Sequence, residues 1–164
     1  KQQVILHNYS SSHTDRVSDR LVEPFGFTTN YVQIWCYEPD SQLNKLFNTA
    51  RIEKVEILNK EWEYEEHHRK GYIDIFRISG YEQHRVQLIL GVLSYNLLTE
   101  EYPLSTRDIH RIDNNHWKLD TLVSNYVGIG RFVMGLYSDI TIITPEFQEY
   151  INQIIRERYN SIKE

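Results

Sequence analysis

Four kinds of residue in this chain could do chemistry, and their spacing separates them. The first is Cys36, the only cysteine, in the stretch YVQIWCYEP from Tyr31 to Pro39. A reactive cysteine needs a lowered pKa, supplied by a neighbouring histidine or a helix N-terminus. Strand alternation instead places Cys36 on an aliphatic face with Val32 and Ile34, opposite Tyr31, Gln33, Trp35 and Tyr37, so a buried, inert thiol is expected. The histidines come second. His67 and His68 are adjacent and would point to opposite faces of a strand, within a charged segment, EYEEHHRK, that reads as solvated. His110 and His116 lie among Asp108, Arg111 and Asp113 without a metal-ligand spacing. Third, Gly128, Gly130 and Gly135 in GIGRFVMG fit neither the dinucleotide fingerprint nor the Walker pattern. They are read as glycines that let a helix pack closely on a sheet. The acidic pairs in YEEH and TEEY lack the partner that two-carboxylate catalysis requires. No metal, no cofactor and no enzymatic activity are expected.

The fourth kind is basic. Arg16, Arg20, Lys45 and Arg51 fall at or near strand ends, close in sequence to Tyr9, His13, Tyr31 and Tyr37. Arginine beside aromatic platforms suits an anionic ligand or single-stranded nucleic acid, through charge pairing and ring stacking. The plainer reading is that these cations are solvated or pair with Asp15, Asp19 and Glu23, and composition alone favours it.

The elements that must position these residues fall into two textures. Up to Leu58 the chain reads as short strands joined by turns: VILHNYS before a Ser-Ser-Ser-His-Thr-Asp cluster, RLVEPFGF, NYVQIWCYE broken by Pro39, and NKLFNTARIEKVEIL. Such a succession suits a small closed barrel. Residues 59–83 form a linker, beginning with the charged NKEWEYEEHHRK and including GYIDIFRISG, a short turn or helix between two glycines. From His84 the order becomes strand (HRVQLILGVL), helix (SYNLLTEEYP, capped by Ser94 and ended by Pro103), strand (HWKLDTLVSN), helix (YVGIGRFVMGLYSD), strand (ITIITP) and helix opened by Pro145. The expected class is α+β: a barrel over 1–58, a linker over 59–83, and a small α/β sandwich of βαβαβα order over 84–164.

Composition narrows the class further. With 164 residues, 40% hydrophobic and 25% charged, the chain reads as soluble and globular. Its twelve tyrosines suit half-buried sheets and binding surfaces. A net charge of −5 argues against a broad basic nucleic-acid face while leaving room for a local one. A single cysteine makes no internal disulfide, so a cytoplasmic setting is expected. No apolar run is long enough for a bilayer, and no membrane role is expected. The start at Lys1 is read as a piece of a longer protein.

The order of these motifs resembles the WYL domain of bacterial transcription regulators. That pattern runs from a first strand ending in tyrosine, through Arg-x-Val-x-Pro and a Trp-Tyr-Leu strand, to Arg-x-Phe-x-x-x-Arg-Ile. Arg20, Val22 and Pro24 match the second element; Lys45, Phe47, Arg51 and Ile52 match the fourth, with lysine for the first arginine. The tripeptide itself is absent, and spacing sets Tyr31-Val32-Gln33 in its place. The later DIFRISG and the VQLIL, YP, W-x-L, ITIITP succession resemble the linker and the C-terminal extension, called WCX, of such proteins. The resemblance implies an Sm-like or SH3-type barrel that senses an anionic effector, such as a nucleotide or single-stranded DNA. Carried over by position, Tyr9, Arg20, Lys45 and Arg51 would bind it, with His13 and Arg16 in the adjacent loop. It also implies a homodimer, with duplex DNA bound only through an N-terminal helix-turn-helix that nothing in this chain resembles. The alternative is a protein-interaction or dimerisation module with no small effector.

Overall fold

The structure is a computed structural model that describes residues 1–11 and 16–162. Two compact units divide it, Lys1–Gly71 and Tyr72–Glu164. The division falls inside the segment 59–83 read as a linker.

In the first unit, β1 (Gln2–Ser10), β2 (Val17–Phe27), β3 (Gln33–Glu38), β4 (Leu43–Asn48) and β5 (Lys54–Glu61) form one sheet in the order β4-β3-β2-β1-β5. All its pairings are antiparallel. The first four strands meander, and a 3-10 turn at Thr49–Arg51 redirects the chain so that β5 returns to the free edge of β1. Period-two alternation gives the sheet two faces. Val4, Leu6, Tyr9, Val22, Cys36 and Phe47 pack as a core on one of them. The pairing of β1 with β2 shifts register between Leu6 and Tyr9, where Asn8 takes a φ of 51°, a conformation asparagine tolerates.

The other face is also covered, which alternation alone does not anticipate. After β5 the chain crosses it: Trp62 Nε1 donates to the Gln2 carbonyl at 3.0 Å, and the His68 ring stacks on Phe25 with centroids 4.6 Å apart. Consequently Trp35, Cys36, Tyr37 and Glu38 are all buried and β3 is an inner strand on both sides. The charged segment NKEWEYEEHHRK is therefore not simply solvated: β5 extends into it as far as Glu61, and its remainder closes the sheet. Tyr31, assigned by alternation to the aromatic face, instead sits in a 3-10 turn before β3, 71% exposed with a φ of 58°.

The second unit opens with a hairpin of β6 (Tyr72–Ile73) and β7 (Ser79–Gly80). Asp74 closes its turn by accepting from the Phe76 and Ile78 N–H groups, both at 2.9 Å. Then follow β8 (His84–Leu90), α1 (Val92–Glu101), β9 (Ile109–Arg111), β10 (Trp117–Val123), α2 (Tyr126–Gly135), β11 (Ile140–Ile142) and α3 (Pro145–Ile162). The strands make an antiparallel sheet ordered β11-β8-β10-β9. Val86, Leu88 and Leu90 of β8 and Leu119 and Val123 of β10 are fully buried at alternate positions, and Ile129, Phe147 and Ile151 of the helices pack on them. The chain is thus α+β, with a larger antiparallel sheet followed by a smaller sheet and helices; the short β9 is added to the strand–helix order read from the sequence.

Two local expectations change. Helix α1 starts at Val92, with Gly91 as its N-cap, and Ser94 lies inside it, buried. Asp139 supplies the missing cap from elsewhere in the chain, accepting from the Ser94 N–H at 2.7 Å. Gly128 and Gly130 do permit close packing, though not on the sheet. A Cβ at Gly128 would stand 2.6 Å from Cβ of Phe76, and one at Gly130 would stand 2.9 Å from the Tyr150 ring.

Candidate functional site

The register of the first sheet brings the basic residues to a buried acid. Cys36 lies opposite Lys45, and Leu6 lies opposite Arg20, so both cations belong to the face that carries the core. Glu38, two residues beyond Cys36, shares that face and is only 3% exposed. Its carboxylate accepts from Lys45 Nζ, from Ser41 Oγ at 2.6 Å and from Arg20 Nη1 at 3.4 Å. Burial works against the charge, but these hydrogen bonds and the two cations outweigh it and hold the carboxyl below the usual range. One buried negative charge is therefore held between two half-exposed positive ones. Arg20 Nε is buried without a hydrogen-bond partner among the described residues.

Tyr9 is anchored nearby in the same core. Its ring meets Phe47 edge-on at 4.9 Å, and its hydroxyl accepts from the Asn48 N–H at 3.3 Å. Asn48 caps the 3-10 turn that ends in Arg51. The Arg51 side chain is exposed and has no hydrogen-bond or ion-pair partner among the described residues. Of the residues singled out in the sequence, Arg20 and Lys45 meet directly on Glu38, and Tyr9 is joined to the turn bearing Arg51. Tyr9 is 8% exposed, which makes it a support rather than a stacking platform. Arg16 is exposed just ahead of β2. His13 lies outside the described residues.

Sequence reasoning missed Glu38 and, for Glu23, the partners it takes. The acid for Arg20 was sought among Asp15, Asp19 and Glu23, whereas Glu38 supplies it and the other described acids are engaged elsewhere. Asp19 accepts from the Asn8 N–H and meets His7 at 2.9 Å, with Glu56 on the opposite ring nitrogen of His7 at 2.9 Å. Glu23 is fully buried and gathers the covering segment. It accepts from Gln3 Nε2 at 2.9 Å and from the Glu63 and Tyr64 N–H groups at 2.6 and 3.2 Å, and it meets His68 Nε2 at 2.9 Å. Burial opposes its charge, yet this set of donors keeps its pKa below the ordinary value. The available signal was Glu38 itself: an acid two residues from Cys36, on the face that alternation assigns to the core.

The chemistry of the remaining candidates is now fixed by place. Cys36 is fully buried, and burial, followed by the Glu38 charge, pushes its thiol far up, away from the thiolate. No group of three His, Cys, Asp or Glu side chains among the described residues could hold a metal ion. No helix among them is long and apolar enough to cross a membrane. Tyr37, Gln42, Asn44, Tyr64 and His67 line a cleft of about 340 Å³ on the covered face, but both ends of the Asn44 amide are already bonded, to the His67 carbonyl and the Arg69 N–H.

No family model matches the chain, and no curated protein matches it significantly. Among solved structures, proteasome accessory factor B/C (PafBC) of Arthrobacter aurescens is similar over 92% of this chain and 24% of its own, at 11% identity and a TM-score of 0.33. The chain thus spans about a quarter of that protein's length. At that level the likeness decides neither site nor activity.

Proposed function

We propose that this chain is the ligand-sensing and dimerising region of a bacterial transcription regulator, and that its first unit takes an anionic effector, a nucleotide or single-stranded nucleic acid. The ordered motifs that resemble the WYL domain support the class. The observation that carries the site is the convergence of Arg20 and Lys45 on one carboxylate, with the Arg51 side chain unpaired among the described residues on the turn beside Tyr9. Two cations around a single buried acid leave a net positive charge where the outer halves of both side chains meet solvent, and guanidinium groups match phosphate geometry. Glu38 orients the two cations before a ligand arrives, so less side-chain entropy is lost on binding. A bound anion would favour one arrangement of the two units, provided its affinity differs between arrangements.

The test is a fluorescence titration of the chain with short single-stranded DNA and with nucleotides, repeated with Arg51→Ala and Arg20→Ala. Saturable binding that weakens in both variants supports the assignment. Binding that neither substitution changes would place the anion elsewhere.

A second reading, an interaction or dimerisation module without a small effector, is favoured by one observation. Val55 and Ile57 of β5 pair with Leu6 and Val4 and so belong to the core face, yet they are 50% and 68% exposed. Light scattering separates the two: a dimer indifferent to every anion supports the interaction module.

A further inference from the structure

The helices of the second unit enclose a groove that the reading above does not use. Between α2 and α3 lies a groove of about 510 Å³, walled by Val127, Met134, Tyr150 and Ile154 and edged by Arg131 and Arg158. Its shape follows from the two glycines of α2 that also line it. At Gly130 the helices touch, since a Cβ there would stand 2.9 Å from the Tyr150 ring. One turn earlier Tyr126 packs on Phe147 and Tyr150, with centroids 5.2 and 5.4 Å apart. At Gly135 a Cβ would find nothing within 4 Å. The helices therefore part toward the end of α2 and leave apolar walls unfilled.

Charge gives the groove its polarity. Among the described residues, both lining cations are arginines and no acidic residue lines it, in a chain whose net charge is −5. Two of the three acids of α3 are engaged elsewhere, Glu149 with Arg156 at 3.3 Å and Glu157 with Gln153 at 2.8 Å, and the third, Glu146, lies in the first turn, two turns before the groove-lining Ile154. Neither Arg131 nor Arg158 has a side-chain partner among the described residues. A volume of about 510 Å³ lies in the range of small-molecule sites, which typically pair apolar walls with a few polar groups that fix orientation.

We infer that this groove binds a small amphipathic anion, its carboxylate or phosphate head held by Arg131 and Arg158 and its apolar body lying along Met134, Ile154 and Val127. The site is independent of the effector face of the first unit, and Arg51→Ala leaves it intact.

Calorimetric titration of the whole chain with decanoate and with decyl phosphate tests this, using decanol and acetate as controls. Saturable binding of one anion per chain is expected, with decanol and acetate weaker by roughly tenfold or more, which is about 1.4 kcal/mol. The tighter of the two anions identifies the head group. Arg131→Ala combined with Arg158→Ala is expected to weaken the anions by roughly tenfold as well. Gly135→Leu enters open space at a backbone conformation without positive φ, so it is expected to block binding while leaving the melting temperature unchanged. Decanol binding as tightly as decanoate, anions binding both variants as they bind the parent chain, or no saturable binding at all would each overturn the inference.

Discussion

Glu23 and Glu38 are two buried carboxylates whose partners give them opposite duties. Glu23 is met by three neutral donors and one histidine, all of them holding the chain on the second face of the sheet. Glu23→Gln keeps one acceptor oxygen but turns the other into a donor, leaving either Gln3 and the Glu63 N–H or the Tyr64 N–H and His68 without an acceptor; it is expected to cost about 3 kcal/mol, read from urea unfolding. Because the folded pKa of Glu23 is lowered, its contribution is present above the unfolded carboxyl value and is lost as pH falls through the folded one. The acid limb of stability should therefore flatten in that variant. His7 behaves in the opposite sense. Hydrogen bonds to Glu56 and then Asp19 raise its pKa, so its contribution is full below about pH 6.5 and is lost as pH rises through the raised value. Melting temperatures of the parent chain and His7→Gln, followed from acid to alkaline pH, are expected to differ most at the acid end of that window and to converge at its alkaline end. At this scale the sequence was legible where a residue's role depends on near neighbours. Cys36 is buried, as the strand pattern implied. His68 read as solvated because its partner, Glu23, lies 45 residues earlier, and no local pattern carries that pairing.

At the scale of elements, periodicity did most of the work and failed where a distant segment intervenes. The alternate burial of β8 and the start of α3 at Pro145 follow directly from residue order. Alternation gave strand β3 an aliphatic and an aromatic face without deciding what covers the second, and the crossing segment buries both. Helix α1 was given Ser94 as its cap because Asp139, which does the capping, is 45 positions away in sequence. Gly130 shows how tightly the helical layer is set: Gly130→Val would drive a Cβ to 2.9 Å from the Tyr150 ring. A loss of about 2 kcal/mol is expected, since overpacking a well-filled contact forces neighbours off their rotamers. Thermal unfolding measures it, and Gly135→Leu is the matched control with no atom to displace.

On the scale of the whole molecule, each unit has its own sheet and its own apolar cluster. Residues 72–164, expressed alone, are therefore expected to unfold cooperatively with the near-ultraviolet signature of the Tyr95–Trp117 stack, whose centroids lie 4.1 Å apart. The α+β class and the change of texture between the halves were legible from strand and helix patterns. The candidate site was legible in part: its cations were visible as residues, while the acid that gathers them emerged only when the register of three strands was known. The central claim is that Arg20, Lys45 and Arg51 form one anion-binding face. Its most direct test is the salt dependence of single-stranded DNA binding in the parent chain and in Arg51→Ala. Each phosphate contact contributes a slope of about −0.7 to log K against log salt for single strands. The account predicts a measurable negative slope that becomes shallower by about 0.7 when Arg51 is removed; an identical slope and affinity in the two proteins would contradict it.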